Sequence, residues 1–416
     1  MAITYTATSN PGGLTGTALD GLPIEVTGLT LDTPYTFTVT ATNDSVASAA
    51  SAASASVTPV VYVGKLYTWG ANNHGQLGDG TNIYRSSPVQ VGAGTKWPKI
   101  SGCAGTIGAI SADGTLWQWG RNNWGQLGDG TTVNKNSPVQ VGALTNWSII
   151  SAGYLHTGSI KKDGTLWTWG QNYWGQLASG TNSYASSRNS PVQVGLLTTW
   201  LNVSCGHYTT HAIKTDRTLW GCGRGTNGAI GDGTGLDRNS LVQIGALTSW
   251  SKISSSPAWG TMGIANGALW AVGGDNACGE LGINSRSLLN APVQVGALTT
   301  WLNVSCGYQH TLATKTDGTL WAWGKNSLGQ LGIGDTVYRS SPVQVGALTT
   351  WSNTAAGNYF TVATKTDGTL WSWGANSYGQ LGDGISASKS SPVQVGALTS
   401  WSKITAGVYG PMAISK

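Results

Sequence analysis

The chain has 416 residues, with 61 glycines and 21 tryptophans but only two phenylalanines and 9% charged residues. So few Lys, Arg, Glu and Asp cannot clothe the outer faces of helices, which excludes a helical bundle and favours short strands joined by glycine turns. The net charge of +5 comes without a run of Lys or Arg, so no nucleic-acid partner is expected, and no stretch of 18 apolar residues is present to insert into a membrane.

Residues 1–59 are rich in Thr, Ser and Ala and contain no Trp. Four strands are expected there: Ile3–Thr8, Pro23–Thr27, Pro34–Thr42 and Ala52–Thr58. The stretch PIEVTGLTLDTPYTFTVTATN, Pro23 to Asn43, alternates apolar and polar residues and puts Tyr35, Phe37, Val39 and Ala41 on one face. It resembles the C-terminal part of a fibronectin type III domain, and Tyr35 stands where such sandwiches place a tyrosine corner. Four strands make only a partial β-sandwich, whose apolar face and open edge need a cover. The expected cover is a protein partner in an assembly, or a second copy of the chain in a homo-oligomer, which makes residues 1–59 an attachment region. The run SVASAASAASAS before Pro59 reads either as the last strand or as a flexible linker.

From residue 60 onward three phrases each occur seven times. One is KLYTWG, TLWQWG, TLWTWG, TLWGCG, ALWAVG, TLWAWG and TLWSWG; another is PVQVG, with Leu241 as its one variant start. The third is a lone Trp: Trp97, Trp147, Trp200, Trp250, Trp301, Trp351 and Trp401. Each lone Trp precedes the next "LW" Trp by 20 residues. The reverse interval is 30, except for 33 in the third copy and 31 between Trp270 and Trp301, so length varies on one side of the repeat only. Asp113-Gly114, Asp163-Gly164, Asp317-Gly318, Asp367-Gly368 and Asn266-Gly267 read as two-residue hairpin turns, and Asp216-Arg217 as a strained or different one. Pro at the start of SPVQV suits an edge strand. About four short strands per repeat, seven times over, is the pattern of a β-propeller, with Trp117, Trp119, Trp167, Trp169, Trp321, Trp323, Trp371 and Trp373 expected in its core.

With LWTWGQNYWGQL, SPVQVG and DGTLW in register, residues 60–416 resemble the repeat of the regulator of chromosome condensation family. That resemblance implies an all-β fold, a seven-bladed β-propeller closed by building one blade from both chain ends. Here WSKITAGVYGPMAISK at the C-terminus would be continued by KLYTWG at Lys65–Gly70. The family's best-known activity, nucleotide exchange on a small GTPase, is not carried over, because none of these residues matches its loops individually.

No catalytic, cofactor-binding or metal-ligating constellation emerges, so the protein is not expected to be an enzyme. His156 and His310 share a repeat position with Thr106, Thr209 and Phe360, which points to packing or a hydrogen bond. Asp79, Asp129, Asp232 and Asp383 sit in GDG corners without a calcium-loop ligand series. GQLGDGT lacks the Lys-Ser/Thr of a phosphate loop. Cys103, Cys205, Cys222, Cys278 and Cys306 have no metal-type spacing and read as small buried thiols.

What remains is recognition at the loops. The positions after the Asn of WGxN vary and bring Trp124, Tyr173, Trp174 and Tyr378, while the loop tips bring Tyr84, Arg85, Tyr184, Arg188, Tyr338 and Arg339. Aromatic and arginine side chains are the types that interfaces enrich, and the expected ligand is a protein or a cell-surface glycan. The start MAITYTATSN has neither the basic head nor the apolar core of an export signal. The leading expectation is therefore a non-enzymatic virion component of a bacteriophage, a tail fibre or decoration protein. The alternatives are an extracellular bacterial adhesin and a regulator or inhibitor that grips another protein with the propeller face.

Overall fold

The computed structural model describes residues 3–19, 24, 26, 28–30, 33–43, 46–58, 64–92, 96–258 and 260–416. They form eight four-stranded sheets distributed over two compact units, residues 1–62 and 63–416. The expected strand Pro23–Thr27 and the expected boundary at residue 59 fall largely outside the described residues.

The first unit contributes one sheet, in the order Thr15–Leu19, Thr4–Asn10, Thr36–Asn43, Val46–Ala47. The strand Thr15–Leu19 was not among those expected. Tyr35 is buried and its hydroxyl accepts the N–H of Thr30 at 3.0 Å, the backward hydrogen bond of a tyrosine corner. The Ser-Ala run is neither a free linker nor a regular strand. The N–H groups of Ser48, Ser51 and Ser54 donate to the carbonyls of Ala41, Val39 and Phe37. The N–H groups of Ala41, Val39 and Phe37 in turn donate to the serine Oγ atoms, each at 3.0 Å. Three residues of the run thus face two of the strand at every step, a repeated bulge in which a hydroxyl stands in for a backbone carbonyl.

The second unit is the propeller. Blade 1 joins Trp401–Ala406, Pro411–Ser415, Lys65–Gly70 and Arg85–Val91, and blades 2 to 7 follow in chain order. Blade 3 shows the pattern: Trp147–Ala152 innermost, then His156–Lys161 and Leu166–Gly170, with Arg188–Gln193 outermost. The innermost strands line a central cavity of about 150 Å³ with small residues, among them Ser101, Ser151, Ser204, Ser254 and Ser305. Each of these serine hydroxyls accepts an inner-strand N–H of the next blade, from Ala152, Cys205, Ser255, Cys306 and Ala356, at 2.9–3.0 Å. Only small side chains let seven strands converge this closely, and the serines also satisfy inner-strand donors.

The hairpin between the second and third strands differs from the two-residue turn expected. Lys161 N–H bonds Thr165 O, enclosing three residues, and only Gly164 has positive φ (+78°). Two-residue geometry occurs at Asn266-Gly267, where Ala265 pairs with Ala268 and both turn residues have positive φ. Arg217 keeps the sibling turn at φ +64°, so this non-glycine residue carries the strain.

An indole lock operates toward the loop ends of the blades. Trp69, Trp119, Trp169, Trp323 and Trp373 are fully buried, and each Nε1–H donates to a main-chain carbonyl in the preceding blade. The acceptors are Gln380, Gln76, Gln126, Glu280 and Gln330, at 2.9–3.1 Å. The indole lies on a glycine two residues later: a Cβ on Gly78, Gly128, Gly282, Gly332 or Gly382 would come within 2.5–2.7 Å of Nε1. By contrast Trp117, Trp167, Trp321 and Trp371, expected in the core, are half-buried. Their Nε1–H groups donate to Thr115, Thr165, Thr319 and Thr369, and Lys161, Lys315 and Lys365 hold their ammonium groups 3.5–3.8 Å from three of the rings.

A chain ending at Ser400 loses Trp401–Ala406 and Pro411–Ser415 and leaves Lys65–Gly70 paired on one side only, with Arg85–Val91. It is expected to lose cooperative melting at the parent temperature in calorimetry. Unchanged melting would show that the ring does not depend on this closure.

Candidate binding face

In each blade the loop between strands one and two and the long loop between strands three and four lie at the same end. Main-chain bonds tie them together: Ala71 to Tyr409, Arg121 to Gly105, Gln171 to Leu155, Arg224 to Tyr208, Lys325 to Gln309 and Ala375 to Tyr359. The long loop is folded around the buried Asn of WGxN. Asn72, Asn122, Asn172, Asn276, Asn326 and Asn376 each accept the N–H of a Leu five residues on, at 2.9–3.0 Å. The residue after the variable pair is Gly, and the next side chain, Gln126 or Gln176 for example, accepts the N–H of Trp124 or Trp174. The variable residues are thereby held on a fixed backbone with their side chains free to differ.

In the third copy the three added residues coil into a 3-10 turn, Tyr184–Ser186. Buried Ser186 takes over the capping of Asn172, accepting its Nδ2–H at 2.9 Å where sibling loops use a main-chain carbonyl. The turn projects Tyr184 between the neighbouring aromatics. Ring centroids then run in an unbroken series: Trp124 to Tyr184 5.4 Å, Tyr184 to Tyr173 4.1 Å, Tyr173 to Trp174 4.7 Å, Trp174 to Tyr208 6.4 Å. It continues from Tyr208 to His207 at 4.1 Å and from His207 to Tyr154 at 4.2 Å, crossing blades 2, 3 and 4. Tyr184 is 56% and Tyr173 36% exposed, whereas Trp124 and Trp174 are half-buried. The stripe is thus self-supporting on one side and open on the other.

Four of the ten residues expected at the binding surface, Trp124, Tyr173, Trp174 and Tyr184, come together here. Tyr84 and Tyr378 form a separate edge-to-face pair 5.6 Å apart at the junction of blades 1 and 7. Tyr338 lies 5.9 Å from the Arg286 guanidinium. Arg85 and Arg339 are ion-paired, to Asp79 at 2.7 Å and Asp335 at 2.6 Å. Arg188 is exposed and donates to Ser187 O at 3.0 Å. Tyr154, His207, Tyr208, Arg121 and Arg224 were missed, because nothing in their local sequence separates them from packing positions.

The titratable groups act structurally. Asp79, Asp129 and Asp232 in the GDG corners accept from the threonine two residues on, and each pairs with a base of the same loop, Arg85, Lys135 or Arg238. His156 and His310 are buried and meet Thr210 and Thr361 of the next blade at 2.9 and 3.1 Å. Burial drives both imidazoles down to about 3, so they are neutral at every ordinary pH. All five cysteines are buried and unpaired. Among the described residues no group of three or more His, Cys, Asp or Glu could hold a metal ion.

The family model for the Regulator of chromosome condensation (RCC1) repeat matches residues 63–105, 113–160, 163–213, 266–314, 317–364 and 367–414. The gap at 214–265 holds the copy with Asp216-Arg217 and GCG, which folds as a blade all the same. A stretch of 134 residues is 30% identical to the Probable E3 ubiquitin-protein ligase HERC6 of Homo sapiens, covering 30% of this chain and only 13% of that protein's length. Human WBSCR16 superposes with TM-score 0.75 at 18% identity, over 85% of this chain and 99% of that one. Prp20p from Saccharomyces cerevisiae, described with its binding to Gsp1p and histones, gives 0.73 at 17% identity, over 85% and 91%. The same yeast protein bound to Kap60 gives 0.75 at 15%, over 85% and 89%.

Glu280 takes the place of the loop glutamine in blade 5, where its Oε2 accepts the Cys278 N–H at 2.8 Å. Burial, aided by the nearby Asp275 charge, raises its carboxyl from the ordinary 4.5 to about 7. Its contribution to stability is therefore complete below pH 4.5 and lost as pH rises through about 7. Glu280→Gln is expected to leave stability unchanged at pH 4 and to raise it at pH 8 by on the order of 3 kcal/mol. Denaturant melts of both chains at the two pH values check this, and an equal gap at both would refute it.

Proposed function

The chain belongs to the Regulator of chromosome condensation (RCC1) repeat family, and we propose that it is a non-enzymatic recognition module that grips a partner protein with the loop face of its propeller. The observation that carries this reading is the aromatic stripe of blades 2 to 4. The one repeat with a three-residue insertion uses it to place a 56% exposed Tyr184 between Trp124 and Tyr173. Half-exposed aromatics with few rotatable bonds, fixed on a rigid frame, lose little entropy on binding and bury much area. The binding of Prp20p to Gsp1p, histones and Kap60 gives precedent for protein partners on this fold. The setting we propose, a virion or an extracellular surface with residues 1–59 as the attachment region, rests on the fibronectin-like resemblance of that segment.

Replacing Trp124, Tyr173 and Tyr184 together by Ala is expected to leave the melting temperature within a few degrees of the parent. The same variant should lose a stoichiometric protein partner captured by the immobilised parent. Retention of that partner, or unfolding of the variant, would overturn this assignment. Co-purification with particles, or its absence, tests the setting separately.

A further inference from the structure

The junction of blades 6 and 7 departs from its siblings. A cavity of about 540 Å³ opens there between the outermost strands Arg339–Gln344 and Lys389–Gln394. In blades 1, 2 and 4 the GDG aspartate pairs with the base at the start of the outermost strand: Asp79 with Arg85, Asp129 with Lys135, Asp232 with Arg238, each aspartate side chain only 5% exposed. Blade 6 reads GIGD instead. Ile333 takes the aspartate's position and lines the cavity, while Asp335, with its side chain 40% exposed, pairs with Arg339 at 2.6 Å. The glutamine of PVQVG changes with it. Gln90, Gln140, Gln193, Gln243 and Gln394 each donate to the carbonyl of the glycine two residues on, at 3.0–3.2 Å. Gln344 lines the cavity and does not make that bond. Blade 5 shares the isoleucine, as Ile283, but its outermost strand is cut to Val293–Gln294. Lys365 reaches the same cavity, its Nζ 3.6 Å from the Trp371 ring centroid and 5.1 Å from that of Trp351. Among the described residues no carboxylate is ion-paired with Lys365. Asp367, whose charge acts on it, accepts the N–H and the hydroxyl of Thr369.

We propose that this cavity binds a small organic carboxylate. Its apolar body sits against Ile333, Val343, Leu348 and Pro392, its carboxylate pairs with the Lys365 ammonium, and the Gln344 amide supplies a further hydrogen-bond donor. Charge complementarity selects the anion. A half-buried ammonium flanked by indoles has given up part of its hydration without gaining a carboxylate, so an anionic acceptor recovers more there than a neutral one. The volume falls within the roughly 300–1,000 Å³ of small-molecule sites, and apolar walls with a few placed polar groups are their usual lining. Where the sibling loops keep the GDG aspartate, a carboxylate stands in this wall and would repel the ligand, so the exchange to Ile333 is what opens the site to an anion. The site is separate from the loop-face stripe of blades 2 to 4 and does not depend on that reading.

The probe is 1-naphthaleneacetate, titrated into the full chain by calorimetry, with the neutral 1-naphthaleneacetamide and the cationic 1-naphthylmethylamine as controls. Saturable binding of the carboxylate is expected, at least about tenfold tighter than that of the amide, with no binding of the amine. Lys365→Met should weaken the carboxylate about tenfold or more. Ile333→Asp, which restores the residue that four sibling loops fold around, should do the same by placing a carboxylate in the wall. Lys315→Met, at the equivalent lysine of blade 6, should leave the affinity unchanged. Melting temperatures equal to the parent's confirm folding, and Ile333→Asp decides the matter if Lys365→Met does not fold. No binding of the carboxylate, equal affinity for carboxylate and amide, or affinity indifferent to Ile333→Asp overturns the inference. Loss of binding in Lys315→Met with Lys365→Met unaffected would move the ligand to another junction and overturn it equally.

Discussion

Each blade but two is locked to its predecessor by an indole whose Nε1–H reaches a main-chain carbonyl across the interface and whose ring lies flat on a glycine. The bond satisfies a donor that burial would otherwise leave unpaired, and the ring supplies the apolar area that holds adjacent sheets together. Because the acceptor sits in the long loop, five of the seven long loops are fixed at this end by the next blade's indole. The Asn of WGxN fixes them again from below. Between those two anchors the sequence is free to vary.

The two exceptions show how closely the partners are matched. Blade 4 has Cys222 where the indole stands elsewhere, with Sγ 3.8 Å from Gln176 O. The preceding loop, relieved of the large ring, carries Ala178 in place of the glycine, at φ +55°. Blade 5 has Val272, and Ile230 and Gly231 of the preceding loop pack on it. A change at one position of a repeat is answered in the next repeat, 44 residues away for Ala178 and Cys222. The same third loop that lost its glycine also lost its aspartate and gained three residues. Its departure from the siblings is thus a set of coupled changes, and it is this loop that builds the aromatic stripe and exposes Arg188.

Rigidity and variability therefore divide along the strand direction. In blades 2, 3, 6 and 7 one end is closed by Asp-Gly hairpins whose aspartates accept from Thr115, Thr165, Thr319 and Thr369. There, lysines stack on half-buried tryptophans in a pattern repeated with little change. The other end carries the three-residue insertion and the variable aromatic side chains. A scaffold so over-determined keeps exposed aromatics in place without their own packing having to do it, which is what a preorganised recognition surface requires.

The sequence alone determined the seven-fold repeat and its roughly four short strands per copy, because these follow from periodic residues with fixed conformational demands; the pairing of the C-terminal strands with Lys65–Gly70 was what the family resemblance implied. Trp, Gly and Asp at constant spacing admit few chain paths. It also marked Trp124, Tyr173, Trp174 and Tyr184 as candidates, since variable positions in an otherwise regular repeat stand out. Which tryptophans lie in the core was decided only in three dimensions: Trp169 is sealed against the long loop of the preceding blade while Trp167, two residues away, faces the hairpin end beside Lys161. The companions of the stripe, Tyr208, His207, Arg121 and Arg224, were equally invisible. They come from other blades, and only the angular packing of sheets, set by the indole contacts, determines which side chains of neighbouring repeats meet at one edge.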